Sequence, residues 1–394
     1  MLRRYAILEV KKANRTYSSS PGVASTKSAD GEVKIHAAEL SEAERRDTKR
    51  NPAVKDVSLI MPIRLIAPVS KAPAKADKTQ QSSWGIKAVG ADRTDLDGSD
   101  VVVAVLDTGI DQKHPAFAGI NILPEDFSGS DDKGDTDGHG THCAGTIFGK
   151  DVDGVRIGIA RNIKQALIGK VFKDGGGGDS LAIYRAMQWA TDNKADVISM
   201  SLGYDFPGMV RELEQDGYPI ELATSIALEH FKDNLRMFDS VMNVLEAGRP
   251  FGRGPIVVAA SGNESDRNRD PRFRISASLP SSAKGVISVA AVRENGSGYE
   301  IANFSNGRAK VCAPGQDIVS AAAAQKGLAV MSGTSMACPH VAGLAALWWQ
   351  SLVNSGALTN AEKVTQRMLA ASTAANMVGL DPEDVENGFA MAPV

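Results

Sequence analysis

Short, nearly continuous apolar runs recur beyond residue 84 of the chain. They are Val101 to Leu106, Ala166 to Phe172, Asp196 to Met200, Ile256 to Ala260 and Val286 to Val292. Strands that are buried on both faces have this pattern, whereas half-exposed strands alternate apolar and polar residues. A helical pattern at Ser180 to Asn193 separates two of the runs. The sequence therefore predicts an α/β fold with a mostly parallel central sheet and helices on both faces.

A longer helical periodicity extends from Pro219 to Ala247 and is followed by Gly248 and Pro250. Because glycine and proline commonly end helices, the pattern predicts one helix of about 40 Å. The segment around it, at about residues 204–253, interrupts the succession of predicted strands.

Residues 1–66 have the pattern of a small α+β domain. Its predicted elements are a strand at Tyr5 to Val10, a strand at Val33 to His36, a helix that ends at Asn51-Pro52, and a strand at Val54 to Ile66. Ser41 and Glu44 fit a capping box, which marks the start of that helix. Residues 67–83 are rich in Ala, Pro, Lys, Ser and Gln and predict a linker, so that residues 84–394 form the main domain.

Composition narrows the classes of partner. The chain has 394 residues, with 44 Lys and Arg against 47 Asp and Glu, a net charge of −3 that argues against nucleic-acid binding or a polybasic membrane patch. Its longest apolar stretch, Val341 to Trp349, is far shorter than the roughly 18 residues of a membrane span, so we expect no membrane segment.

The first residues do not resemble a secretory signal, because their apolar run is interrupted at Glu9 and Lys11. Cys143, Cys312 and Cys338 lack any C-x-x-C spacing, and we expect buried free thiols. Both observations leave the location open and favour the cytoplasm, where thiols stay reduced.

Polar residues follow three of the predicted strands. They are Asp107, Ser201 with its neighbours to Gly203, and Asn263. In an open parallel sheet, functional groups collect at the carboxyl ends of strands. Each of these residues taken alone is also typical of an ordinary turn.

Two glycine-rich turns, each leading into a predicted helix, contain His139 and Ser335. Pro339 is tolerated in the first turn of a helix, so we expect Ser335 at the helix start, with a free N–H for a developing oxyanion. A serine hydroxyl becomes nucleophilic when an imidazole takes its proton, and a buried carboxylate orients that imidazole. Asp107, His139 and Ser335 supply these three groups.

The segments Val-Leu-Asp107-Thr-Gly-Ile-Asp, Gly-His139-Gly-Thr-His-Cys-Ala-Gly and Gly-Thr-Ser335-Met-Ala-Cys-Pro-His-Val-Ala-Gly closely resemble the signatures of the subtilisin-like (subtilase) serine peptidases. The order Asp, His, Ser is also that of subtilisin. The resemblance implies a serine endopeptidase that works through an acyl-enzyme, with Asn263 as oxyanion donor. It further implies that substrate is flanked by two strand-like segments, formed by Gly176, Gly177 and Gly178 and by Ser201, Leu202 and Gly203.

Residues 1–66 resemble the propeptide of this family. The resemblance implies a zymogen in which the N-terminal domain is an intramolecular inhibitor until self-cleavage within the linker. The substrates would be proteins or peptides.

The chemistry requires no cofactor. Many members of the family bind structural calcium, partly through an acidic residue after a His-Pro pair. Here His114-Pro115 is followed by Ala116 and Phe117, and Asp151 and Asp153 are the alternative ligands, or simply solvated turn residues.

Three alternatives to a serine endopeptidase without a metal site are considered. A peptide ligase or macrocyclase would use the same triad. A non-catalytic peptide-binding protein is disfavoured because all four catalytic positions are filled. A zinc site at Asp137, His139, His142 and Cys143 lacks a complete ligand set. Relative to typical members of the family, the helical segment at about residues 204–253 looks like an insertion. It is predicted to narrow the cleft, to dock a partner or to serve as a structural buttress.

Overall fold

A computed structural model describes residues 2–11, 32–73, 82–130, 132–247, 254–296, 298–324 and 327–393. These residues fold into two compact units, one formed by Met1–Met61 and Phe206–Pro250, the other by Pro62–Asp205 and Phe251–Val394. The insertion thus belongs to the same unit as the N-terminal residues. Residues 62–66, placed by sequence in the N-terminal domain, belong to the larger unit.

The larger unit, where it is described, contains a central sheet and two small sheets. Its strands in chain order are β4 (Pro62–Leu65), β5 (Ser70–Pro73), β6 (Val102–Asp107), β7 (Ile122–Asp126), β8 (Gln165–Lys170), β9 (Gly178–Asp179), β10 (Val197–Met200), β11 (Leu202–Tyr204), β12 (Ile256–Ala260), β13 (Val286–Asn295), β14 (Gly298–Ile301), β15 (Val311–Pro314), β16 (Ile318–Ala322) and β17 (Gly327–Ser332). Its helices are α2 (Trp84–Ala88), α3 (His139–Phe148), α4 (Ser180–Asp192), α7 (Thr334–Asn354) and α8 (Ala361–Ala371).

In the described residues, eight strands form the central sheet in the order β14-β13-β12-β10-β6-β8-β7, with β15 beside β13. Pairing is parallel except at β14, which is antiparallel to β13. Every residue of β6 is buried, as its unbroken apolar sequence predicts. The α/β fold class and the five predicted core strands are confirmed, and α4 matches the predicted helix.

Residues 62–73, hereafter the bound segment, add a strand to each of two small sheets. β4 lies between β11 and β9, and β5 pairs with β17. The prediction of one strand from Val54 to Ile66 is wrong, because that stretch contains two strands with different partners. The predicted linker contains β5 in its described part, and residues 74–81 lie outside the described residues.

The smaller unit is a three-stranded antiparallel sheet with helices. Its elements are β1 (Arg3–Lys11), β2 (Glu32–Leu40), α1 (Glu42–Lys49), β3 (Val54–Leu59), α5 (Phe206–Gln215) and α6 (Ile220–Ala247). β1 is central, between β2 and β3. The capping box is confirmed, with Ser41 N–H donating to Glu44 Oε2 at 2.8 Å and Glu44 N–H to Ser41 Oγ at 3.3 Å.

The insertion helix α6 matches the predicted helix and packs along β3. Its buried apolar face includes Phe238 and Val241. At the polar margin, the Asn234 side-chain amide donates to the carbonyl of Leu59 at 2.9 Å. Arg45 of α1 forms an ion pair with Asp233 of α6 at 3.0 Å. The helix α6 therefore packs against the sheet formed by the chain's own first residues.

No helix in the described part of the chain is long and apolar enough to cross a membrane.

The packing of α6 yields a stability prediction. Phe238 is completely buried, and Phe→Ala in a core costs about 3–5 kcal/mol through lost burial and a cavity. Phe238→Ala should lower the free energy of local unfolding of the smaller unit by this amount, measured by hydrogen exchange of the β1 and β3 amides. Leu228→Ala, on the same helix but 49% exposed, is the matched control and should change it by less than about 0.5 kcal/mol. Equal effects of the two variants would contradict the packing described.

Candidate active site

Two of the predicted catalytic side chains form a buried pair at the carboxyl end of β6. Asp107 is the last residue of that strand, and His139 is the first residue of α3. Nδ1 of His139 lies 2.8 Å from Oδ1 of Asp107, with the two side chains 0% and 1% exposed. The backbone N–H of Thr108 donates to the same oxygen at 2.8 Å. A carboxylate held in this way fixes the tautomer and orientation of an imidazole.

The close approach of α3 to β6 requires a glycine at the second residue of the helix. A Cβ atom on Gly140 would lie 2.2 Å from the carbonyl oxygen of Gly109 and 3.2 Å from Cβ of Asp107. A side chain here would therefore push α3, and with it His139, away from the carboxylate.

Asp135 holds the turn before α3, a role that the motif analysis missed. Its Oδ1 accepts hydrogen bonds from the Gly138 N–H and the Thr108 hydroxyl, and its Oδ2 accepts from the N–H and hydroxyl of Thr141. A carboxylate in this place satisfies N–H groups that have no partner within the helix. An aspartate just before a predicted helix start was the available signal.

The carboxylate of Asp107 controls the protonation of His139. Burial alone would lower the pKa of the imidazole, but the charge of Asp107 and its hydrogen bond raise that pKa well above the ordinary 6.5. Cys143, one turn further along α3, is a neutral thiol because burial raises its pKa. Within the described residues, Nε2 of His139 has no hydrogen-bond partner. This nitrogen can take a proton from a neighbouring hydroxyl.

Ser335 is the second residue of α7, where backbone N–H groups have no helical acceptor. Pro339 lies in the second turn of the helix, one turn later than predicted, and cannot donate to the carbonyl of Ser335. That carbonyl instead accepts from the Ser201 hydroxyl at 3.2 Å and from the Cys143 thiol at 3.3 Å. Groups from β10–β11 and α3 thus replace the bond that proline removes and fix the start of α7.

Asn263 points its amide nitrogen into the same region. Its Oδ1 accepts from both the N–H and the hydroxyl of Thr334, each at 2.9 Å, which leaves the NH₂ group directed away from α7's first residue. A Cβ atom on Gly333 would lie 3.0 Å from this nitrogen, so the residue before α7 leaves it room. The two donors predicted from sequence, the Asn263 amide and the Ser335 N–H, thus lie beside the start of α7.

The bound segment lies directly on these groups. The Ser335 hydroxyl donates to the carbonyl of Ile66 at 2.7 Å, and the Asn263 amide donates to the carbonyl of Ala67 at 3.0 Å. The side chain of Ile66 is buried, whereas Ala67 is exposed. An extended peptide therefore crosses the site with one aliphatic side chain enclosed beside the serine.

One of the predicted substrate-flanking segments, and the last residue of the other, pair with this peptide. Residues 202–204 pair with 63–65 in antiparallel register, and the Ile66 N–H donates to Ser201 O at 3.3 Å. On the other side, Gly178 pairs with Ile63. Gly176 and Gly177 form a turn instead, in which Gly176 N–H donates to Lys173 O. The glycine run looks uniform in sequence, but only its last residue continues into strand β9.

The remaining histidines and thiols have structural partners. His142 Nε2 lies 3.0 Å from Ile318 O, and His340 Nδ1 lies 2.7 Å from Met336 O. Burial lowers their pKa values to about 3 and about 4. His114 contacts the carbonyl of Gly327 at 2.8 Å. The cysteines are free and buried, as predicted.

Side chains of metal-ligand type cluster at one place in the described residues. Their one group of three clustered ligand types is Asp107, His139 and Cys143, which is the hydrogen-bonded pair with a neutral thiol. The alternative calcium ligand Asp151 forms an ion pair with Arg161 at 3.0 Å. Asp151 is 48% exposed in this pair, which is compatible with its other interpretation, a solvated turn residue.

Comparison with known proteins agrees with this geometry. The family model described as "Subtilase family" matches residues 98–388. The chain is 34% identical over 305 residues to a "Cuticle-degrading serine protease" of Arthrobotrys oligospora, covering 74% of this chain and 62% of that relative's length. It is 32% identical over 273 residues to the "Major intracellular serine protease" of Bacillus subtilis, covering 67% of this chain and 73% of the relative.

A third relative is "Subtilisin DY" of Bacillus licheniformis, 31% identical over 306 residues, with 76% of this chain and 93% of the relative covered. The chain therefore belongs to the subtilase family, and its larger unit is that of a subtilisin-like serine endopeptidase.

Proposed function

We propose that this endopeptidase is made as a self-processing zymogen whose first substrate is its own bound segment. The observation that carries the proposal is the contact of the Ser335 hydroxyl with the carbonyl of Ile66, within a peptide paired as a strand to the site. Strand addition is a common mode of peptide recognition, and proteases need an extended substrate to reach the scissile bond.

In the proposed reaction, Ser335 Oγ attacks a peptide carbonyl carbon while Nε2 of His139 takes its proton. Asp107 orients the ring and stabilises the imidazolium. The oxyanion of the tetrahedral intermediate accepts from the Asn263 amide and the Ser335 N–H. His139 then protonates the leaving amine, and water hydrolyses the acyl-enzyme by the same route in reverse.

The bond that fits the scheme joins Ile66 to Ala67. The enclosed side chain of Ile66 precedes this bond, and its carbonyl is the one that Ser335 touches. The intact segment is held short of reaction, since the serine proton is donated to the peptide and Asn263 binds the next carbonyl. Attack requires the Ile66 oxygen to move to the two oxyanion donors and the serine proton to turn towards His139.

Residues up to 66 also fit the role of an intramolecular inhibitor. β4 fills the strand position between β9 and β11 that a substrate would need. In the smaller unit, the sheet of the same polypeptide is held by α6 of the insertion. Two linked contacts raise the effective concentration of each, so the inhibitor would stay bound after the covalent link is cut.

A reducing compartment is the location we propose. Its support is that Cys143, Cys312 and Cys338 are all free and buried.

Self-cleavage is tested on the full chain. The wild-type protein should yield a new N-terminus at Ala67, identified by intact mass and N-terminal sequencing, at a rate independent of protein concentration. Ser335→Ala should stay full length, while Ser351→Ala, on the same helix, should cleave normally. A cut at another bond, or any cut that persists in Ser335→Ala, would contradict the proposal.

The oxyanion role of Asn263 has a kinetic signature. Asn263→Ala should lower kcat by about 10²- to 10³-fold, the magnitude known for one such donor in subtilisin itself, with little change in KM. Asn268→Ala, an exposed residue of the same loop, is the control and should leave kcat unaltered. An unchanged kcat in Asn263→Ala would remove that residue from the mechanism.

The pH dependence follows from the Asp107–His139 pair. Only the neutral imidazole takes a proton, so kcat/KM should rise with pH through the pKa of His139, which is raised above 6.5. In Asp107→Asn the charge that raises this pKa is lost and burial lowers it, so the acid limb should move to lower pH while the rate falls by about 10⁴-fold. Profiles of kcat/KM against pH measure both effects, and a limb that stays in place in Asp107→Asn would refute the pairing.

A further inference from the structure

The bound segment shows which groups of the protein contact the residues that precede the proposed cleavage site. Counting back from the Ile66–Ala67 bond, the third residue is Arg64, opposite Gly203 of β11. The fourth is Ile63, which is 4% exposed and lies between Tyr204 and Gly178. Aliphatic side chains thus occupy the first and fourth positions, and a cation occupies the third.

Two carboxylates of the larger unit converge on that cation. One guanidinium nitrogen of Arg64 lies 2.6 Å from Oε1 of Glu264, and the other terminal nitrogen lies 3.6 Å from Oδ1 of Asp205. The three side chains are 37%, 34% and 23% exposed. The planar fork of arginine reaches both acids at once, which the single ammonium of lysine does less well.

Glu264 is fixed by a buried amide. Asn306 is completely buried, and its NH₂ group donates to Glu264 Oε2 at 2.6 Å. Its Oδ1 accepts from the backbone N–H of Glu264 at 3.1 Å. One carboxylate oxygen is thereby held by the protein, and the other faces the peptide.

Asp205 is placed by the substrate strand itself. It directly follows β11, and its backbone N–H donates to the carbonyl of Pro62 at 3.3 Å. A peptide that pairs with β11 therefore brings its third residue beside this carboxylate, whatever its other side chains are.

We propose that Asp205 and Glu264 form a subsite that selects a basic residue, arginine above lysine, at the third position before the cleaved bond. The proposal rests on the endopeptidase function proposed above. It extends that function to a substrate class, which is extended peptides with aliphatic first and fourth residues and a cation between them.

The expected size of the preference follows from the exposure of the pairs. Ion pairs that are about one-third exposed are partly screened, so arginine should exceed glutamine by about 3- to 10-fold in kcat/KM. The preference should shrink as salt is added, since screening weakens exposed pairs.

Peptides with the sequence of residues 62–71 and Arg, Lys, Gln or Glu at the position of Arg64 provide the test, with enzyme obtained from the full chain. The expected order of kcat/KM is Arg, Lys, Gln, Glu. In the double variant Asp205→Asn, Glu264→Gln, the ratio of Arg to Gln should fall to about one. Glu362→Gln, a distant acid in α8, should keep the wild-type ratio.

An equal rate for Arg and Gln peptides in the wild-type protein would overturn the subsite. A preference that survives in the double variant would overturn its assignment to these two acids.

A second measurement needs no catalysis. In the full chain carrying Ser335→Ala, Arg64→Gln should speed hydrogen exchange of the amides in residues 63–66 by about 3- to 10-fold, whereas Lys55→Gln, on β3, should not. If no peptide is cleaved at all, the proposed activity fails, and this exchange experiment alone decides the subsite. Unchanged exchange in Arg64→Gln would overturn it.

Discussion

The hydrogen bond between Asp107 and His139 is the constraint around which the site is built. A carboxylate that is 1% exposed is costly to bury unless it is paired and its oxygens accept hydrogen bonds. The imidazole and the Thr108 N–H both bind Oδ1, and Gly140 allows the helix to come close enough for this contact. In the described residues, Oδ2 of Asp107 is buried without a hydrogen-bond partner. The same pairing makes the ring a stronger base, so one interaction serves both the stability of the buried charge and the proposed chemistry.

The start of α7 is held by hydrogen bonds from two other segments of the chain. Pro339 has no N–H to donate to the carbonyl of Ser335. That carbonyl accepts hydrogen bonds from the hydroxyl of Ser201 and the thiol of Cys143 instead. Because Cys143 lies one turn after His139, the bond links α3, which contains His139, to α7, which contains Ser335. The bound segment contacts the Ser335 hydroxyl through the carbonyl of Ile66 and pairs with β11 as an added strand.

Features determined by neighbours in sequence could be predicted, and features determined by distant partners could not. The capping box at Ser41 and Glu44, the unbroken strand β6 and the long helix α6 depend on local pattern, and each was predicted closely. The division of Val54 to Ile66 into β3 and β4 depends on which strand lies alongside each half, and apolar residues do not encode that choice. The site motifs were visible because their residues are close in sequence, whereas the acids Asp205 and Glu264 meet only through the fold. Asp135 is close in sequence to the helix that it holds, but an aspartate before a helix is too common to be singled out as a site residue.

Active-site labelling can show whether Asp107, His139 and Ser335 act together as one catalytic unit. A fluorophosphonate should label the processed chain at a single residue, Ser335 by peptide mass, and the labelling rate should fall by orders of magnitude in His139→Ala. Labelling at another residue, or an undiminished rate in His139→Ala, would show that Ser335 and His139 do not act together.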